Sequence, residues 1–115
     1  MRVLIVEDEF LVAMDLVSIV ESLGHNVVGP AQSARSAIAL AQSQQIDVAL
    51  LDMNLVTDTA APVADELDER GVPYAVVTAY LPDQLGKRFK SALLVSKPFH
   101  RRDIEAAIEC LRPRT

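Results

Sequence analysis

Four short apolar runs in this chain stop on groups that can do chemistry. Val3-Leu4-Ile5-Val6 stops on Glu7-Asp8, and Val48-Ala49-Leu50-Leu51 stops on Asp52. Ala75-Val76-Val77 stops on Thr78, and Ala92 to Ser96 stops on Lys97-Pro98. Runs this short, aliphatic and β-branched, read as buried strands. In an open parallel sheet, ligands collect beyond the carboxyl ends of the strands. Glu7, Asp8, Asp52, Thr78 and Lys97 would then share one rim. Carboxylates gathered on one rim repel one another unless something positive sits among them. Mg²⁺ suits such a place, because it binds through one or two carboxylates and keeps water or phosphate oxygens as its other ligands. Lys97 would bring a mobile point charge for a phosphate, and Thr78 a hydroxyl donor. An aspartate can itself be the nucleophile and carry a phosphoryl group. The metal would offset charge on that group and align an in-line displacement. No Ser–His or Cys–His pair competes for the nucleophile's role, and His25 and His100 are expected away from the rim. Each residue alone has a plainer explanation: a turn for Asp52 or Lys97-Pro98, strand propensity for Thr78, a helix-dipole partner for Glu7-Asp8-Glu9. Their coincidence at matching ends of four strands favours the chemical explanation.

The elements that must position these groups follow from periodicity and punctuation. A helix is expected from Phe10 to Leu23, with Phe10, Ala13, Met14, Val17 and Val20 inward and Gly24 as its stop. Its opposite stripe, Leu11, Asp15, Ser18 and Ser22, is polar except for Leu11, which with Asp15 becomes a candidate for partner docking. Asn26-Val27-Val28-Gly29 reads as a short second strand, and Pro30 suits a sheet edge or a strand end. Ser33 can cap a helix from Ala34 to Ser43 whose inward face is Ala34, Ala37, Ile38 and Ala41. After Asp52 a polar loop leads to Thr59, a cap for a third helix with Pro62 in its first turn, Val63 and Leu67 inward, and Arg70-Gly71 at its end. A strand from Val72 to Val77, a weak helix from Pro82 to Lys90 broken by Gly86, a strand from Ala92 to Ser96 and a helix from Arg101 to Leu111 complete the chain. In that last helix Ile104, Ala107, Ile108 and Leu111 point inward. Alternation of this kind implies an α/β, doubly wound parallel sheet of (βα)5 type.

Composition narrows the classes. At 115 residues the chain makes one domain, residues 1–115, and half of it is hydrophobic, enough for an ordinary core. Sixteen acidic residues against 11 basic ones give a net charge of −5 without any basic stripe, which argues against direct binding of nucleic acid. The single cysteine, Cys110, excludes an internal disulfide and a cysteine-based zinc cluster, and packing is its expected role. No apolar run approaches the ~20 residues that a bilayer requires, and Glu7-Asp8 interrupts the first apolar run too early for a signal peptide. A soluble, cytoplasmic protein is expected. Lys87, Arg88, Lys90, Arg101 and Arg102 place positive charge near the last two helices, a surface suited to an acidic partner.

Taken in order, Leu4-Ile5-Val6-Glu7-Asp8-Glu9, Leu50-Leu51-Asp52-Met53-Asn54, Val77-Thr78-Ala79 and Ser96-Lys97-Pro98-Phe99 resemble the receiver domain of two-component response regulators across nearly the whole chain. The resemblance implies a flavodoxin-like fold with strand order 2-1-3-4-5. It implies that Asp52 takes a phosphoryl group from a phosphohistidine on a sensor histidine kinase or a histidine phosphotransfer protein. Mg²⁺ would be bound by Asp8, Asp52 and the backbone carbonyl of Asn54, with Glu7 assisting through water. Thr78 would turn toward the phosphate, Lys97 would pair with it, and the peptide before Pro98 would be cis. Such a module signals through a downstream protein target and is not an enzyme beyond its own phosphorylation and slow dephosphorylation. Three departures stand out. The loop after Asp52 lacks the usual Pro and Gly, Leu94 stands where the aromatic switch residue is usual, and Glu7 replaces the commoner Asp. Thr78-Ala79-Tyr80, with no aromatic at 94, is partly similar to the FAT GUY variant of receivers and makes Tyr80 a second switch candidate.

Arg112-Pro113-Arg114-Thr115 is too short for an output domain, so a stand-alone receiver is expected. The alternatives are an interaction module that works without phosphorylation, and a Mg²⁺-dependent phosphohydrolase with an aspartyl-phosphate intermediate. The latter wants a second carboxylate where Asn54 stands. A flavin-binding flavodoxin would want glycines or hydroxyls, and not Glu7-Asp8-Glu9, after the first strand.

Overall fold

The computed structural model describes residues 1–52, 60–80, 89 and 91–113. In chain order these form β1 (Arg2–Val6), α1 (Phe10–Ser22), β2 (Asn26–Ala31), α2 (Ala34–Ser43), β3 (Val48–Asp52), α3 (Ala60–Glu69), β4 (Tyr74–Thr78), β5 (Leu93–Ser96) and α4 (Arg101–Leu111). The five strands make one parallel sheet in the order β2-β1-β3-β4-β5, the flavodoxin-like arrangement. The expected Thr59 cap, the Asn54 carbonyl, the helix from Pro82 to Lys90 with its Gly86, and the charges of Lys87, Arg88 and Lys90 lie outside the described residues. Phe89 is described and is buried.

Period-two alternation divides the core in two. Leu4, Val6, Ala49, Leu51 and Val76 face α2 and α3, where Ala37, Ala41, Val63, Ala64 and Leu67 meet them. Val3, Ile5, Val48, Leu50, Ala75, Val77 and Val95 face α1 and α4, against Leu16, Val20, Ile104, Ala107 and Ile108. Every residue of β3 is buried, Asp52 included. A strand covered on both faces must be apolar throughout, and a carboxylate at its end is therefore a costly exception.

Local signals set the helix starts. Ser33 Oγ accepts the Ser36 N–H at 3.1 Å while Ser36 Oγ accepts the Ser33 N–H at 3.3 Å, a reciprocal cap for α2. Asp103 Oδ2 accepts the His100 N–H at 2.8 Å at the start of α4. Arg101 Nε donates to Ser22 Oγ at 3.1 Å and so ties α4 to the end of α1. Gly71, at φ +69°, follows α3, and Gly24, at φ +88°, follows α1.

Two expectations need correction. Phe10 and Met14 are exposed, and α1 buries Ala13, Leu16 and Val20 instead. The stripe is rotated by roughly 60° from the expected one, at 100° per residue. The helix is apolar on most sides, so periodicity alone does not select its inward face. Cys110 is exposed; Ile104, Ala107 and Ile108 define the buried side of α4 and position 110 falls outside it. Pro30 lies in β2, an edge strand of the sheet as such a proline suits, and β2 continues past Gly29 through Ala31 across a bulge. The peptides Lys97-Pro98 and Gly29-Pro30 are both cis, the first as expected. Among the described residues no helix is long and apolar enough to cross a membrane.

Candidate functional site

β1, β3 and β4 lie side by side in register: Val6 pairs with Leu51, and Asp52 pairs with Val77. Glu7, next after Val6, therefore stands beside Asp52, and Thr78 follows Val77 one step further along. On the far side Thr78 pairs with Ser96, and the Lys97 N–H donates to the Thr78 carbonyl at 2.9 Å. Parallel strands of matched length thus deliver two acids, a hydroxyl and a lysine to one edge, as the chain pattern requires.

The side chains meet there. Lys97 Nζ donates to Asp52 Oδ2 at 2.5 Å and lies 3.7 Å from Glu7 Oε1. Glu7, Asp52 and Thr78 are the buried polar or charged residues among those described. Both Glu7 carboxylate oxygens are buried without a hydrogen-bond partner; the Lys97 contact is beyond hydrogen-bond reach. Burial above all, then the neighbouring Asp52 carboxylate, which would accept a proton from Glu7 and repels its ionised form, pushes the Glu7 pKa up to about 9 against the pull of Lys97. Without a further cation, Glu7 is neutral and Lys97 is matched to Asp52. Asp8 follows Glu7 at the exposed mouth of the site.

Thr78 Oγ1 accepts the Tyr80 N–H at 2.9 Å, which orients the hydroxyl and leaves its own proton to donate. Tyr80 is half exposed. Leu94 is partly buried against the α2–α3 half of the core, and not free beside Thr78. Leu11, 79% exposed, and Asp15 stand on the outer surface of α1, and Phe10, 62% exposed, adds to an apolar surface there that periodicity did not anticipate. His25 is remote from this chemistry: its Nδ1 is 3.1 Å from the amino-terminal nitrogen.

The described residues contain no group of three acids, histidines or cysteines gathered closely enough to enclose an ion. A divalent cation here would rest on one or two carboxylates with water and backbone oxygen completing its shell, as Mg²⁺ prefers. The orphaned, buried Glu7 oxygens are what such an ion and its waters would satisfy, so the donor set fits.

Known proteins share this fold and family. The family model described as the response regulator receiver domain matches residues 3–109. The phyllosphere-induced regulator PhyR of Methylorubrum extorquens is 39% identical over 93% of this chain and 42% of its own length. The chain spans about half the length of the curated relatives it matches. The BeF3-activated solution structure of SdrG from Pseudomonas melonis superposes with a TM-score of 0.84 at 34% identity, covering 96% of this chain and 94% of that one. The receiver domain of the sensor histidine kinase PA1611 from Pseudomonas aeruginosa, described with magnesium coordinated in its active-site cleft, shares the fold at a TM-score of 0.83 and 23% identity, covering 96% of this chain and 95% of that one. The chain belongs to the response regulator receiver domain family, the signalling modules of two-component systems, which are not enzymes in the ordinary sense.

Proposed function

We propose that Asp52 is the phosphoacceptor of this receiver, taking a phosphoryl group from a phosphohistidine on a sensor histidine kinase or a histidine phosphotransfer protein. The observation that carries this reading is the half-buried Asp52–Lys97 pair beside an unsatisfied Glu7 carboxyl. An isolated buried acid is costly and is usually removed or fully paired, so one left unsatisfied at a strand end marks chemistry. An Asp52 oxygen attacks phosphorus, the P–N bond to the histidine breaks, and the imidazole leaves with the bond's electrons. Lys97 then exchanges its contact with Asp52 for one with a phosphoryl oxygen. Thr78 donates its hydroxyl proton to another phosphoryl oxygen, which loosens its tie to the Tyr80 N–H and moves the Thr78-Ala79-Tyr80 turn. Asp8, Asp52 and the Asn54 carbonyl would hold Mg²⁺, with Glu7 acting through water. A Mg²⁺ held there would offset charge on the transferring group.

Tyr80 is the residue proposed to report phosphorylation, since Leu94 is already engaged in the core and lacks an aromatic ring. Leu11 and Asp15 on α1 are proposed contacts for the phosphodonor, and a downstream protein target would read the altered surface. The test is intact mass after incubation with Mg²⁺ and acetyl phosphate. A single phosphoryl adduct on wild type and none on Asp52→Ala supports the reading. An adduct that persists on Asp52→Ala refutes Asp52 as the acceptor. No adduct with acetyl phosphate or with a phosphorylated histidine donor would favour the interaction module that works without phosphorylation.

A further inference from the structure

The end of β2 is irregular in a way that bears on the acidic site. Arg2 pairs with Asn26, Val3 with Val27 and Leu4 with Val28, but Val6 pairs with Ala31. Gly29 and Pro30 together stand opposite Ile5, which makes a bulge in a parallel pair, an uncommon place for one. In a regular ladder Pro30 would face Val6. It has no N–H to give the β1 carbonyl there, and Ala31 would turn away from the core. The bulge removes both difficulties. Ala31, with its N–H, takes the pairing position, and Val28 and Ala31 fall on the same buried face despite an odd spacing.

Gly29 makes the bulge possible. It holds φ +95°, where a side chain is disfavoured, and a Cβ there would lie 2.7 Å from the Ala31 nitrogen and 3.1 Å from the Ile5 carbonyl oxygen. Both contacts are backbone atoms of the pairing itself, so neither can swing aside. The consequence reaches Glu7. Its N–H donates to the Ala31 carbonyl at 2.9 Å, the last bond between β1 and β2 before the acids.

We propose that the Gly29-Pro30 bulge is a positioning element for the cation site: by placing the Ala31 carbonyl it fixes the Glu7 peptide, and through it the aim of the Glu7 and Asp8 carboxylates. The proposal rests on the reading that these acids, with Asp52, bind a divalent cation. Gly29 and Pro30 touch no ligand and act through Ala31 and Glu7.

The experiment is Mg²⁺ titration of the whole chain by calorimetry and by amide chemical shifts, at a temperature where each variant is folded. Gly29→Ala is compared with Gly24→Ala, which has the same kind of left-handed φ but no atom within 4 Å of the added Cβ. Gly29→Ala is expected to weaken Mg²⁺ binding at least fivefold and to shift the Glu7 amide resonance. Gly24→Ala loses stability through its left-handed φ alone and changes affinity less than twofold. Equal losses from both glycines would mean general destabilisation and overturn the proposal. Wild-type affinity in Gly29→Ala, while Asp52→Asn binds poorly, would overturn it and leave the acidic site standing. An affinity that Asp52→Asn does not change would instead refute the site, and the positioning role with it. Should Gly29→Ala not fold, Pro30→Ala decides. Restoring an N–H removes the need for the bulge, so at least threefold weaker binding and faster exchange of the Glu7 amide are expected. No change in either overturns the proposal.

Discussion

Glu7→Gln should make the metal-free protein more stable, and increasingly so as pH rises. Glu7 is wholly buried, both its oxygens lack partners, and its carboxyl faces Asp52 with one lysine between them. Its folded pKa, raised from 4.5 to about 9, exceeds the unfolded value, so folding takes up a proton everywhere between the two. Stability therefore falls with rising pH across that window, by a little over ~1 kcal/mol per pH unit. Below the unfolded pKa the effect vanishes, because both states are protonated. Between pH 5 and pH 8 the penalty grows by an amount on the order of 3 kcal/mol, the pull of Lys97 being already contained in the folded pKa. Glutamine keeps the shape and never ionises. Urea denaturation in EDTA should give nearly equal stabilities for wild type and variant at pH 5, with a gap of about 3 kcal/mol in favour of the variant at pH 8. Saturating Mg²⁺ should narrow that gap by stabilising wild type more. A gap that is absent at pH 8, or that does not change with pH, would refute the account of Glu7 as a buried acid held neutral by its surroundings.

Lys97→Met removes the cation from a buried carboxylate pair and should cost about 3 kcal/mol in EDTA at pH 7, since the remaining charge is left uncompensated; urea denaturation reads it, and no loss would mean the pair is not closed in solution. Leu50→Ala, at the centre of the sheet beneath α1 and α4, should cost roughly 2–5 kcal/mol by the same measurement without altering Mg²⁺ affinity. Ser33→Ala deletes the reciprocal cap of α2 and should cost about 1 kcal/mol, seen as a lower urea midpoint. Tyr80→Ala should leave phosphoryl uptake intact by mass but abolish the phosphorylation-dependent amide shifts in β5. Unchanged shifts would remove Tyr80 from the switch.

Much of this protein could be read from the chain because its strands are short, apolar and capped by chemistry. A strand buried on both faces has no use for a polar residue, so Glu7, Asp52, Thr78 and Lys97 stood out wherever an apolar run stopped. Their order along the chain is also their order across a parallel sheet, which is why the rim was legible without coordinates. Packing against neighbours decided the rest. α1 carries apolar residues on nearly every side, so only the surface of β1, β2 and α4 against which it docks could choose Leu16 over Phe10 and Met14. Cys110 reads as one more apolar residue in a helix until the neighbours of Ile104, Ala107 and Ile108 settle which side of α4 is inside. Pro30 suits a sheet edge or a strand end, and only the pairing demand of β1 decides that the edge strand β2 runs on past it by bulging at Gly29. The depth of burial that keeps Glu7 protonated belongs to the assembled sheet alone, because desolvation is a property of everything packed around a group and not of the residues beside it in sequence.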